Sequence, residues 1–448
     1  MGAFHAYDIR GIYNVDFDKY TAYKIGFFLP ELLKADKVLL GRYVRLSSYE
    51  IYGAVGEGVT DAGAEVYDLG LSTTPMVYFA TARYGFDASI QITASHNAKE
   101  YNGMKVSRTN ALPVGFDTGL GEIKRWIEEG RQMKIEKEKG KVIKFDKRDD
   151  YLTFLNGYKE DYSNLKIGMD LSNGMAALFV KDIFGDQPLY ICDKMDGNFP
   201  NHEPNPLVEK NREDLKKLVL DNGCDVGVIY DGDADRVMFI DENGRFISPD
   251  LMIALLGHYF LEEKGEKGAV LQDIRSSKAV GEYLTPMGAE MHTWRVGRAF
   301  AAHKLRELNG VFGGELAGHY YFRDFYYSDS GILASLLILN VIAKLKNQGL
   351  SLSQQISRIE KYQNSGEINF KIESKKEAMD AVRDYFTSQE QPTASFDFDG
   401  YRVEFNDWWF NVRPSNTEPY LRFLCEASTK ELLDQKVSKT KEIINNFK

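Results

Sequence analysis

The sequence predicts an α/β chain of three similar α/β domains followed by a smaller C-terminal α+β domain. Three observations predict it. Short apolar strands alternate with helical patterns in three successive rounds. A charged stretch, "KIEKEKGKVIKFDKRDD" (134–150), separates the first round from the second. After "ESKKEAMDAVRDYF" (373–386) the texture turns β-rich. The length, 448 residues, suits about three or four domains of ~100–150 residues each.

In chain order, "KVLLGR" (37–42) reads as a strand and "YEIYGAVGEGVTDAG" (49–63) as a helix. "EVYDLG" (65–70) is a strand, "TPMVYFATARYG" (74–85) a helix, and "ASIQITAS" (88–95) begins as another strand. "LKIGMDLSNG" (165–174) opens the second round, with a strand ending at Asp170. "CDVGVIYDGDADR" (224–236) closes it by running a strand into a carboxylate-rich loop. "GAVLQDIRSS" (268–277) opens the third. "GILASLLILNVIAKL" (331–345) is too short to span a bilayer and reads as a buried helix. "ASFDFDGYRVEFNDWWFNVRPSNTEPYLRFLCEA" (394–427) supplies the strands and turns of the last domain. The expected divisions are 1–145, 146–246, 247–365 and 366–448.

Apolar residues at 43% and charged residues at 27% are ordinary for a globular protein. A net charge of −10 argues against nucleic-acid binding. Cys192, Cys224 and Cys425 are scattered and form no CxxC pair, so neither a zinc site nor a disulfide framework is indicated. A reducing cytoplasm fits. "MGAFHAYDIR" lacks a signal-peptide core, and Ala6 breaks the myristoylation pattern. No membrane association is expected.

Four segments carry chemistry. In "VIYDGDADR" (228–236), Asp231, Asp233 and Asp235 alternate after an apolar strand. Carboxylates that close repel one another, and a hard cation such as Mg²⁺ or Ca²⁺ settles them. Glu242 falls at the twelfth position of an EF-hand loop, but Arg236 stands where that loop needs glycine, so the EF-hand is rejected. In "ITASHN" (92–97), Ser95 lacks the GxSxG elbow of an acyl-transfer nucleophile and makes better sense as a phosphate carrier. "GGELAGHYYF" (313–322) sets Glu315 and His319 four residues apart, a spacing that can bracket vicinal sugar hydroxyls. "VRPSNTEPYLR" (412–422) gathers Arg413, Ser415, Asn416 and Thr417 in a proline-stiffened turn suited to a phosphate.

Together these segments resemble the α-D-phosphohexomutases, the family of phosphoglucomutase and phosphomannomutase. The resemblance runs from "AYDIRG" (6–11) to "RPSNTEPYLR" and includes "TASHNAKEYNGMK" (93–105), "DGNFPNHEPNP" (196–206), "DGDADR" and "GGELAGH". It implies four domains around a central active-site cleft. It implies that Ser95 is phosphorylated and binds Mg²⁺ together with Asp231, Asp233 and Asp235. Arg10, Lys105, His96 and Arg236 match residues near the transferring phosphoryl group. Tyr7, Arg275, Arg298, Glu315, His319, Arg413, Ser415, Asn416, Thr417 and Arg422 would meet the substrate. The implied activity interconverts hexose 1- and 6-phosphates of mannose or glucose, with the hexose 1,6-bisphosphate as intermediate and activator. The expected assembly is a monomer or small homo-oligomer. Ala98, Ala317, Tyr43, Arg298 and Arg275 depart from residues common in the family and bear on substrate choice. Three rival readings are a phosphoglucosamine mutase, a haloacid-dehalogenase-like phosphatase with Asp231 as nucleophile, and a non-catalytic sugar-phosphate sensor.

Overall fold

The computed structural model describes residues 2–135, 137–415 and 420–447. They form four sheets. In the first, Ala88–Ile92 is buried at every position and lies between Lys37–Arg42, parallel to it, and Tyr101–Arg108, antiparallel. Glu65–Leu71 and Val142–Lys144 extend the parallel side, and Ile9–Ile12 closes the other edge. Val142–Lys144 lies inside the charged stretch that the sequence offered only as a separator. Its main chain adds to the sheet while Val142 and Lys144 stay exposed.

The second sheet runs Phe246–Ile247, Val237–Asp241, Val226–Tyr230, Ile167–Asp170, Leu189–Ile191. The third runs Ala289–Trp294, Gly268–Asp273, Phe312–Gly314, Tyr320–Phe322, Ser328–Asp329. Each of the first three sheets therefore joins a parallel set to an antiparallel edge. The fourth is wholly antiparallel and is built around Trp408–Pro414 and Tyr420–Ala427. Its edge strand Gln363–Asn364 begins ahead of the division expected at 365/366.

Helix starts follow local chemistry. Thr73 caps Thr74–Arg83 through its hydroxyl, with Pro75 in the first turn. Ser351 and Gln354 form a capping box on Leu352–Ile359. The long apolar run is the helix Gly331–Asn347, capped by Ser330 and buried along almost its whole length. It packs into one continuous apolar core with Met76 and Phe79 from the first unit, Tyr151 and Phe239 from the second, and Leu251–Leu256 from the third. The C-terminal unit keeps a separate core around Trp408, Phe410 and Phe423. Among the described residues, no helix is long and apolar enough to cross a membrane.

Candidate active site

Ser95 leaves its strand in a left-handed backbone conformation, φ +49°, and is fully buried. Its N–H donates to Thr93 Oγ1 at 2.9 Å, and Thr93 in turn donates to Asp233 Oδ2 at 2.9 Å. Its Oγ donates to Asp231 Oδ2 at 2.9 Å, across from the second sheet. His96 Nδ1 stands 3.3 Å from the same Oγ. Gly232 lets the two loops approach. A Cβ there would fall 1.8 Å from the Tyr43 hydroxyl and 2.7 Å from the Ser95 carbonyl oxygen.

One residue fixes the serine loop. Arg45, 2% exposed, donates to the carbonyls of Ser95 at 3.0 Å, Asn97 at 2.5 Å, Ala98 at 2.5 Å and Tyr101 at 3.0 Å. Its guanidinium also faces the rings of Tyr43 and Phe199, each at 5.1 Å. Sequence patterns single out Tyr43 but not Arg45, whose carbonyl partners lie about fifty residues away.

Asp231, Asp233 and Asp235 are fully buried, with ligand oxygens within 4.8 Å of one another. Burial, then its two neighbours, pushes the Asp231 carboxyl well above the usual carboxylate range. Burial also opposes the charge on Asp235, but Lys105 and His319 outweigh it and hold that pKa down. Lys105 Nζ donates to Asp233 at 2.8 Å and to Asp235. These carboxylates overcome the cost of burying the ammonium and raise its pKa. Asp233 Oδ1 and Asp235 Oδ1 are buried with no partner. Converging carboxylates with unused oxygens fit a hard divalent cation.

Arg10 donates to Asn97 Oδ1 at 2.8 Å and pairs with Asp8, so it reaches the serine loop from the first strand. The main-chain N–H of Arg236 donates to Asp231 at 3.2 Å. Its Nε donates to His319 Nε2 at 2.9 Å, and His319 Nδ1 donates to Asp329 at 2.6 Å. Both ring nitrogens of His319 are thus engaged within the protein. Asp329 is held at about 2, because His319 and Arg298 outweigh its burial. Arg298 donates to Asp329 at 3.0 Å and lies 3.7 Å over the Tyr78 ring, with Nη2 buried and unpartnered.

Two of the remaining candidates, Tyr7 and Glu315, meet at the turn Val296–Gly297. Tyr7 donates to the Val296 carbonyl at 3.0 Å. Glu315 accepts from Gly297 N–H at 3.3 Å and from Tyr321 at 2.6 Å. Gly297 has φ +123°, and a Cβ there would strike the Tyr7 ring at 2.7 Å. Asp399 accepts from Val296 N–H at 2.9 Å, and Arg413 lies 3.9 Å from Asp399. Arg275 forms a fork on Asp273 at 3.2 and 2.7 Å, and Asp273 also accepts from Leu316 N–H. Arg422 pairs with Glu367 at 3.0 Å and lies opposite Arg413 across two strands. Ser415 follows the strand that carries Arg413, and its N–H donates to the Tyr420 carbonyl. Asn416 and Thr417 lie outside the described residues.

Comparison with known proteins gives four consecutive matches to phosphoglucomutase/phosphomannomutase domains. Alpha/beta/alpha domains I, II and III match residues 1–134, 149–244 and 248–362, and the C-terminal domain matches 367–442. A phosphomannomutase of Escherichia coli (strain K12) is 36% identical, covering 97% of this chain and 98% of its own. A phosphomannomutase of Methanocaldococcus jannaschii is 34% identical, covering 98% and 97%. The crystal structure of a phosphoglucomutase/phosphomannomutase family protein from Burkholderia thailandensis superposes with a TM-score of 0.88. It is 25% identical, over 99% of this chain and 97% of that one. With four family domains matched in order over nearly its full length, the chain belongs to the phosphoglucomutase/phosphomannomutase family.

Proposed function

We propose that this phosphohexomutase interconverts the 1- and 6-phosphates of mannose or glucose through a phosphoserine on Ser95 and a hexose 1,6-bisphosphate. The observation that carries the reading is the Ser95 hydroxyl, buried 2.9 Å from Asp231 at the mouth of the aspartate trio. Asp231, Asp233 and Asp235, with a phosphate oxygen on Ser95, would hold Mg²⁺. When bound, it neutralises charge on the transferring group.

In the first half-reaction a sugar hydroxyl oxygen forms a bond to phosphorus and the Ser95 Oγ–P bond breaks. One proton leaves the sugar hydroxyl and one arrives at Ser95 Oγ, where His96 stands. Arg10 and Lys105 place fixed positive charge beside the group in flight. The bisphosphate then turns within the cleft, and the second half-reaction runs the same exchange in reverse from the other end. Arg413, Ser415 and Arg422 grip whichever phosphate is distant from Ser95. Glu315 and Arg298 orient the ring, and Tyr7 and Arg275 fix the walls that present them. The cytoplasm is the expected compartment.

The test primes the enzyme with glucose 1,6-bisphosphate and follows conversion of mannose, glucose and glucosamine 1-phosphates. An acid-stable phosphoryl group mapped to Ser95 is the expected outcome. An acid-labile label on Asp231, or binding without isomerisation, overturns the proposal. Faster turnover of glucosamine 1-phosphate would move the substrate assignment while leaving the chemistry intact.

A further inference from the structure

We propose that Asp170, Cys192 and His202 form a second metal site, suited to a borderline-soft divalent cation of the Zn²⁺ class. No local pattern marks this site, because the cysteines are scattered and these ligands come from three separate segments. Folding joins them. Asp170 ends the strand Ile167–Asp170, and Ile191 is its partner on the neighbouring strand, so Cys192 follows one step beyond. His202 comes from the long loop that follows. The Asp170, Cys192 and His202 ligand atoms lie within 4.8 Å of one another. His202 Nε2 is 2.9 Å from Asp170 Oδ2.

Each ligand is already oriented. His202 Nδ1 sits 2.8 Å from the Glu203 carbonyl oxygen and donates to it. That hydrogen bond turns Nε2 toward the cluster, the arrangement an outer-shell carbonyl imposes on a metal-binding histidine. Asp170 Oδ1 accepts from Ser172 N–H at 2.8 Å, which leaves Oδ2 for the cluster. The Cys192 carbonyl accepts from Asn173 N–H at 2.8 Å, pinning the chain that carries the thiol.

The donor set selects the ion. A thiolate, an imidazole and one carboxylate suit Zn²⁺, whereas the Asp231–Asp235 trio offers only hard oxygens. The Asp170 side chain is fully buried and that of His202 is 8% exposed. A cavity of about 380 Å³, lined in part by Ile191, Cys192 and Asn201, opens on the cysteine side. It gives an ion an entry route and room for a water as fourth ligand. Binding replaces the Cys192 thiol proton and the proton between His202 Nε2 and Asp170.

Co²⁺ is the probe, added to the full-length enzyme in excess Mg²⁺. Thiolate ligation gives a near-ultraviolet charge-transfer band, which the carboxylate trio cannot produce. The expected result is such a band in the wild type, its complete loss in Cys192→Ser, and Co²⁺ binding at least ~10–100-fold weaker in His202→Gln. No band in the wild type, a band undiminished in Cys192→Ser, or unchanged affinity in His202→Gln overturns the site. If Cys192→Ser fails to fold by circular dichroism, the wild-type band and the His202→Gln affinity still decide.

Discussion

The serine–aspartate centre and the arginine grip of the C-terminal sheet are held in opposite ways. At the centre, Ser95 is tied to Asp231, Thr93 and Arg45, and the trio to Lys105, Thr74 and Arg236. These bonds join the first and second sheets, which also contribute residues to one shared apolar core. At the grip, Arg413 stands on a sheet with its own core. That sheet meets the third unit through contacts that include Arg402 to the carbonyls of Ile274 and Ser276, Ser277 to Glu426, Lys278 to Phe405, Val296 to Asp399 and the Trp294–Phe398 ring pair. Phosphoryl transfer needs fixed dipoles at the reacting oxygen, while a sugar that must turn around needs a grip that can yield. The difference predicts that changes at the centre lower kcat, and changes at the grip raise KM.

The sharpest break of that comparison is Ser95→Ala. It removes the oxygen proposed to carry the phosphoryl group, so turnover should fall by on the order of 10⁴-fold or more. Substrate binding measured by calorimetry stays within about threefold, because the grip is untouched. Full turnover in this variant removes the centre from the chemistry.

Arg45→Lys tests whether the loop's position matters beyond its presence. An ammonium cannot span the carbonyls of Ser95, Asn97, Ala98 and Tyr101 at once, as the planar guanidinium does. A displacement near 1 Å costs on the order of 100-fold in kcat, with KM little changed. A rise in KM with kcat preserved would place Arg45 in binding instead.

Arg45 also marks where sequence reading stops. The strands, the aspartate loop, the serine loop and the C-terminal texture were legible because each is a local pattern: an apolar run, a carboxylate alternation, a turn. Arg45 acts on carbonyls about fifty residues away, and no local pattern encodes that reach. His319 shows the same limit: its contacts with Arg236 and Asp329 join residues separated in sequence that only folding brings together. The turn at Val296–Gly297, where Tyr7, Glu315 and Asp399 meet, was also invisible, since its partners come from three sheets.

Arg413→Lys probes the other side of the comparison. The side chain is 4% exposed, and burial followed by Arg275 lowers its pKa. Lysine keeps a charge but loses the two-nitrogen fork with which Arg413 is proposed to grip a phosphate. Losing one charge-assisted hydrogen bond costs about 1.5–3 kcal/mol, so KM rises by roughly 10- to 150-fold. Steady-state kinetics should show kcat falling by less than that. An equal loss in kcat would mean that grip and centre move as one body.

The smallest effect concerns the joint that carries the grip. Glu426, 4% exposed, accepts from Ser277 at 2.7 Å, Trp409 at 2.7 Å and Asn364 at 2.9 Å. Burial, and then Asp250 facing it from the third unit, raises its pKa to about 7, above the 4.5 of a free glutamate. For an acid raised on folding, the native state holds a proton that the unfolded chain has already lost. Between pH 4.5 and 7 stability therefore falls as pH rises, by an upper bound on the order of 3 kcal/mol. Glu426→Gln cannot ionise, so its melting temperature should change less across that window than the wild type's. Some slope remains, because Asp250 is buried beside it and its pKa is also raised. The amide must also turn an N–H toward a donor, so the variant is less stable than wild type at pH 5, by about 1 kcal/mol. A wild-type melting temperature that rises from pH 5 to pH 7 in step with the variant's would show that Glu426 is ionised throughout. The joint would then be held by a permanent charge among three donors instead of by a carboxyl poised to lose its proton.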